Sequence, residues 1–250
     1  MRQSICLNAD VGELPGEEGR ALDRAILDVV SRCSIACGGH AGDEASMSAT
    51  VEAAQQRSVV IGAHPSYPDR ETFGRARNNV TPAELIMSLL QQVQDLLRIA
   101  DAQGAVVRHI KPHGSLYNDA ARDPELAELV VSLCQRTGVL SLLGPPSSAL
   151  QERAQDAGLH FVAEGFADRT YEADGSLTPR SVEGAVIHDT ARQLEQVMHL
   201  ISDGQVMSRV GEIIDVKVET ICLHGDTPGA AEAAATLRAA LGARGIQVHA

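Results

Sequence analysis

The sequence predicts an α/β fold, an irregular seven-stranded (β/α) barrel with residues 1–250 as one domain. Three observations carry that prediction. Short apolar runs without polar alternation recur along the chain, and each precedes a longer segment with helical spacing, as in a parallel sheet covered by helices. No linker, low-complexity tract or break in composition divides the chain. Nearly every apolar run also ends in polar or ionisable residues. That suits a barrel, whose ligand groups come from the C-terminal ends of most strands, better than an open sheet with a single switch point.

The first run, Ile5–Leu7, closes with Asn8, Ala9 and Asp10, and a helical pattern over 19–32 follows. Ser34–Cys37 is the second, ending in Gly38, Gly39 and His40 before a helix that opens at Asp43. Val59–Gly62, the third, ends in Ala63, His64 and Pro65 and leads into a loop reaching about residue 79. Thr81, Pro82 and Glu84 are a helix-start signature, with Thr as cap, Pro in the first turn and Glu three residues on; Gly104 ends that helix. Val106–Ile110 is the fourth strand, after which Asp123 and Pro124 open a helix that Gly138 caps. Leu140–Leu143 is the fifth and His160–Ala163 the sixth; a polar loop, YEADGSLTPRS, leads to a helix near 188–203. Val218–Leu223 is the seventh, ahead of an Ala-rich helix near 228–243.

Composition narrows the function classes. A formal net charge of -12, no Trp and only three Phe and three Tyr argue against nucleic-acid binding, which needs a basic face or stacking platforms. Five scattered cysteines with no C-x-x-C pair point to free thiols in a reducing compartment. The N-terminal segment has no apolar leader and no apolar run approaches the ~18 residues of a membrane span, so a soluble, cytoplasmic protein is expected. Phosphate-loop, dinucleotide-binding and nucleophile-elbow motifs are absent, so ATP would have no familiar site here.

The strand ends hold the candidate chemistry. Asp10 and Glu13 follow the first, His40 and Asp43 the second, His64 and Asp69 the third, Lys111 and His113 the fourth. Asp168 and Arg169 follow the sixth, and His224 and Asp226 the seventh. Four equivalent histidines, each next to Gly, Ala or Pro, suit acid–base catalysis on a small substrate. His109, His160, His188, His199 and His249 fit surface or satisfied core positions. Asp10 and Glu13 lead the general-base candidates, and Asp10, His40 and His64 are the set that would converge on a divalent metal. Asp43 can equally be a plain helix cap. Lys111, one of only two lysines against nineteen arginines, and Arg169 are the positive groups an anionic ligand would need. The alternative for Arg169 is a salt bridge with Glu172 or Asp174.

Six segments in order, LNADVGE, IACGGHAGDE, GAHPSYPD with FGR, IKPHGSLYN, EGFADRTYEADGSLTPRS and CLHGDTPGA, resemble the LamB/YcsF family, described as the A subunit of 5-oxoprolinase. Ala9 stands where that family usually has Cys, and Gly39 where Phe is common. The resemblance implies a barrel similar to the polysaccharide deacetylase and glycoside hydrolase-like barrels. It implies opening of 5-oxo-L-proline (pyroglutamate) to L-glutamate with ATP hydrolysis, alongside 5-oxoprolinase subunits B and C. Beyond what the resemblance gives, Asp10, Glu13, His40, His64, Lys111, His113 and His224 are catalytic candidates, and Asp43, Tyr67, Arg75, Asn118, Asp168, Arg169 and Asp226 are substrate-binding candidates. A stand-alone metal-dependent deacetylase or amidohydrolase is the alternative, and homo-oligomerisation stays open.

Overall fold

The structure, a computed structural model, describes residues 4–76, 80–224 and 229–250. Its ten strands are β1 (Ser4–Val11), β2 (Arg32–Ala36), β3 (Val60–His64), β4 (Val107–Ile110), β5 (Ser141–Gly144), β6 (His160–Phe166), β7 (Gln205–Met207), β8 (Ile213–Asp215), β9 (Thr220–Leu223) and β10 (Gln247–Val248). The helices are α1 (Gly16–Leu27), α2 (Glu44–Gln56), α3 (Pro82–Ala102), α4 (Gly114–Arg122), α5 (Pro124–Thr137), α6 (Ala149–Asp156), α7 (Thr190–Ser202) and α8 (Ala230–Ala243).

Seven parallel strands close into a barrel in the order β1-β2-β3-β4-β5-β6-β9, with β9 returning to β1. These are the seven strands expected from the apolar runs. The ring is irregular: β2 and β3 pair over five positions, whereas β4 meets β5 at Ile110 and Leu142 alone. At the seam Cys6 lies opposite Thr220 and Ala9 opposite Leu223. Three features lie outside the expected pattern: helix α4, the antiparallel β7–β8 hairpin, and β10, which pairs with β1 outside the ring.

Alternation along β1 sorts its side chains between two environments. Ile5, Leu7, Ala9 and Val11 belong to the apolar core under the helices, while Asn8 and Asp10 bond across the barrel interior. A thiol at position 9 would therefore face the helices, away from the strand-end chemistry. Helices α3 and α5 supply much of that core through Leu89, Val93, Leu96, Val130 and Leu133, none of them accessible to solvent. Each such side chain contributes roughly 1.5–3 kcal/mol on burial.

Local signals fix the helix ends. Asp43 accepts from Ser46 N at 2.8 Å while Ser46 Oγ accepts from Asp43 N, a reciprocal cap on α2. Thr81 and Glu84 do the same for α3. Asp123 caps α5, and Gly138, with φ 74°, ends it in the left-handed conformation. All five cysteines are buried and free. Among the described residues no helix is long and apolar enough to cross a membrane.

Candidate active site

The C-terminal mouth of the barrel opens into a cavity of about 480 Å³. Its walls include Asp10, Glu13, His64, Lys111, His113 and His224, so six of the seven expected catalytic residues line one space. The seventh, His40, lies just behind Glu13, with Nε2 2.9 Å from Glu13 Oε1.

The floor is ionic. Lys111, only 2% exposed, directs Nζ to Glu164 Oε1 at 2.8 Å and Asp10 Oδ1 at 3.0 Å. Asn8 Oδ1 and Cys222 Sγ lie 3.3 and 3.2 Å from the same ammonium. Burial works against the charge on Lys111, but Asp10, Cys222 and Glu164 together outweigh it and hold its pKa well above the usual value. Burial likewise favours neutral Asp10, and the charges of His64 and Lys111 overcome it, so that carboxyl stays well below its usual pKa. The Lys111 charge is already shared by two buried carboxylates, Asp10 and Glu164, although the residue lines the cavity.

Beside the floor, three histidines surround Glu13. His64 Nε2 lies 3.3 Å from Asp10 Oδ2, and its Nδ1 donates to the Lys111 carbonyl at 2.7 Å. Burial disfavours a charge on His64, yet Asp10 and Glu13 raise its pKa. His113 donates from Nε2 to the Phe73 carbonyl at 2.9 Å, while its Nδ1 lies 3.3 Å from Glu13 Oε1. Desolvation lowers the pKa of His113, and pushes that of His40 down to about 4. Among the described residues, Glu13, His40, His64 and His113 each offer a donor atom within 4.8 Å of the others; Asp10 groups instead with Cys222 and His224. The expected metal set of Asp10, His40 and His64 is therefore not how the donors gather: Glu13, three residues past Asp10 in the loop, is the carboxylate nearest His40.

On the far wall, His224 directs Nδ1 to both oxygens of Asp168 at 2.9 Å. A carboxylate in that position fixes the tautomer and leaves Nε2 as the basic nitrogen. Burial opposes ionisation of Asp168, but His224 overcomes it and lowers that pKa. Phe166 stacks on the His224 ring at 5.5 Å.

The remaining expected ligands divide. Arg75, Asn118 and Arg169 line the cavity. Arg169, however, is buried and spends Nε and a terminal nitrogen on the carbonyls of Ala185 and Thr178; desolvation lowers its pKa to about 10. It makes neither of the anticipated salt bridges: Glu172 pairs with Arg209. Asp168 acts through His224 and is absent from the cavity wall. Tyr67 is buried, donates to Asp119 at 3.1 Å and does not reach the cavity. Asp43 is exposed, caps α2 and also lies off the wall, which makes it structural. Asp226 lies outside the described residues.

Sequence reasoning missed Asn8, Glu164, Cys222, Tyr117 and Arg180. Period two along the strands was the available signal: Asn8 precedes Asp10 by two residues, and Cys222 precedes His224 by two. Arg180 lies in the long loop after β6, where no strand-end rule applies, yet it joins Arg75 in giving the cavity wall a cationic side.

A family model for LamB/YcsF matches residues 5–250. The chain belongs to the LamB/YcsF family. It is 44% identical over 251 residues to a Methylococcus capsulatus protein named as the A subunit of 5-oxoprolinase, spanning 100% of this chain and 96% of that one. A solved lactam utilization protein from Thermus thermophilus is 35% identical, covers 99% of both chains and superposes with a TM-score of 0.91. A Bacillus subtilis peptidoglycan deacetylase, 11% identical over 100% of this chain and 89% of its own, reaches a TM-score of 0.50, a likeness of fold alone. The deacetylase-like barrel expected for this LamB/YcsF protein is thus observed, and the name of its relative is that of one component in a complex of several subunits.

Proposed function

We propose that this chain is the lactam-handling subunit of a 5-oxoprolinase, opening 5-oxo-L-proline to L-glutamate with ATP hydrolysis in a complex with subunits B and C. The family membership and the names of its relatives support the substrate. The observation that carries the chemistry is the Asp168–His224 pair facing the charged Asp10–Lys111 floor across one cavity.

A five-membered lactam resists water because its amide is resonance-stabilised, so the lactam carbonyl oxygen needs activation, and phosphorylation is the route ATP offers. This sequence carries no familiar phosphate loop, and in this reading the partner subunits carry out that step. In the cavity, Arg75 and Arg180 face the substrate carboxylate or phosphoryl group. Water attacks the ring carbonyl carbon, and His224 Nε2 takes its proton. The C–N bond then breaks, the proton returns to the departing nitrogen to give the free amine, and the γ-glutamyl phosphate so formed is hydrolysed by a second water to L-glutamate and phosphate. The Lys111 ammonium keeps Asp10 ionised at the floor, and both act on the developing charge as fixed electrostatic groups.

The test is glutamate release from pyroglutamate and ATP by the reconstituted complex, with wild-type and Asp168→Asn chains. The substitution is expected to lower kcat by at least about 100-fold with little change in KM, because the wrong imidazole tautomer would face the water. No glutamate from the wild-type complex would overturn the reading. The stand-alone deacetylase alternative rests on fold likeness only.

A further inference from the structure

We propose that Glu13, His64 and His113 form a three-donor site for one divalent transition ion, with its open position toward the cavity. This goes beyond the lactam reading and does not depend on it.

The hydrogen bonds behind the two rings point to it first. A carbonyl only accepts, so the nitrogen facing it carries the proton. His64 Nδ1 faces the Lys111 carbonyl and His113 Nε2 faces the Phe73 carbonyl. The other two nitrogens, His64 Nε2 and His113 Nδ1, lie 3.0 Å apart. At that distance two ring nitrogens need a positive species between them, a proton or a metal ion. Main-chain carbonyls that orient imidazoles from behind are also the usual outer shell of a metal site.

The spacing fits an ion. Tetrahedral donors bound at about 2.0–2.1 Å stand about 3.3–3.4 Å from one another. Here His64 Nε2 to His113 Nδ1 is 3.0 Å, His113 Nδ1 to Glu13 Oε1 is 3.3 Å, and Glu13 Oε1 to His64 Nε2 is 3.9 Å. Small side-chain shifts equalise them.

Ring orientation then separates the three histidines. An imidazole lone pair lies in the ring plane, so two rings share an ion only where their planes intersect. His64 and His113 are at 88°, and their planes cross. His40 and His113 are parallel to within 1° with centroids 3.5 Å apart, so no point lies in both planes. His40 also lies off the cavity wall, which Glu13, His64 and His113 share. His40 is thus a positioning residue that holds Glu13 through its 2.9 Å contact. Two imidazoles and one carboxylate suit zinc, cobalt or manganese rather than calcium or magnesium, which prefer oxygen. Asp10 Oδ2, 3.3 Å from His64 Nε2, supplies a second negative charge beside the ion.

The experiment is titration of the chelator-stripped full chain with Zn2+ and Co2+, followed by calorimetry and, for Co2+, by visible absorption. One ion per chain is expected. His64→Ala and His113→Ala should each weaken binding by more than the roughly 10–100-fold that loss of an outer-shell partner costs, and His40→Ala should fall within that range. Absence of saturable binding, or wild-type affinity in both His64→Ala and His113→Ala, overturns the site. Should those variants fail to fold, X-ray absorption on the zinc-loaded wild-type chain decides: two imidazole donors support the proposal, and three or none overturn it. Binding is read without substrate, so its failure is separate from failure of glutamate release by the complex.

Discussion

Removing the ammonium of Lys111 strands two buried carboxylates, Asp10 and Glu164, at the floor of the barrel. Lys111→Met is therefore expected to cost about 3–5 kcal/mol of stability, as loss of one partner from a buried pair does, besides abolishing turnover. Adding Glu164→Gln should recover part of that loss, and urea denaturation of both variants gives the coupling. The rarity of lysine made Lys111 legible in the sequence, but its partners are 53 and 101 positions distant and only the barrel brings them together. Glu164 follows its apolar run just as Lys111 does, but Asp168 and Arg169, further along the same strand end, mask it as a site residue. Asp23 gives a second prediction at this scale. It accepts from Gly12 N at 3.0 Å, and burial raises its pKa to about 6. A carboxyl near 3.9 when unfolded and raised when folded stabilises fully below about pH 4, and that contribution is lost as pH rises through about 6. Asp23→Asn keeps the acceptor and loses the titration. Its stability advantage over wild type should grow from near zero at pH 4 to about 3 kcal/mol at pH 7, read from urea midpoints.

Helix α4 follows His113 directly, and its first residue decides how that histidine is held. Gly114 has φ 58°, and an added Cβ would come within 2.5 Å of the Gly74 carbonyl oxygen. That oxygen accepts from Ser115 N at 2.9 Å, tying α4 to the loop that carries Phe73 and Arg75. Gly114→Ala is expected to cost at least about 1–3 kcal/mol from backbone strain and crowding. Because Phe73 holds His113 Nε2, the variant should also lower glutamate release by the complex, a drop checked at saturating substrate. The caps at Asp43, Thr81, Asp123 and Gly138 were legible because each signal lies within three residues of the end it marks. Helix α4 was not: it has nine residues and buries only Leu116, Tyr117 and Ala120, too few for a periodic pattern. The strands of the β7–β8 hairpin, three residues each, are shorter still.

At the scale of the molecule, closure is the property to test. The barrel was legible because polar residues end nearly every strand, which an open sheet does not require. Its order was not, since pairing of β1 with β9 joins residues more than 200 positions apart. A chain ending after Asp215 would lack β9, α8 and β10 and leave both β1 and β6 unpaired on one side. It is expected to show no cooperative melt and to aggregate on size exclusion, whereas the intact chain is expected to melt cooperatively.

The seam also bears on when the protein becomes competent during synthesis. The ribosome releases β1 first of the ring strands and β9 last, yet Asp10 and Asn8 come from one and Cys222 and His224 follow from the other. An unfinished chain therefore holds the Asn8–Asp10 strand without the His224 that faces it. Neither can act alone, so a stalled or truncated product neither consumes substrate nor competes for it. The long-range pairing that delays folding makes catalytic competence a report that translation has run through the last strand of the ring.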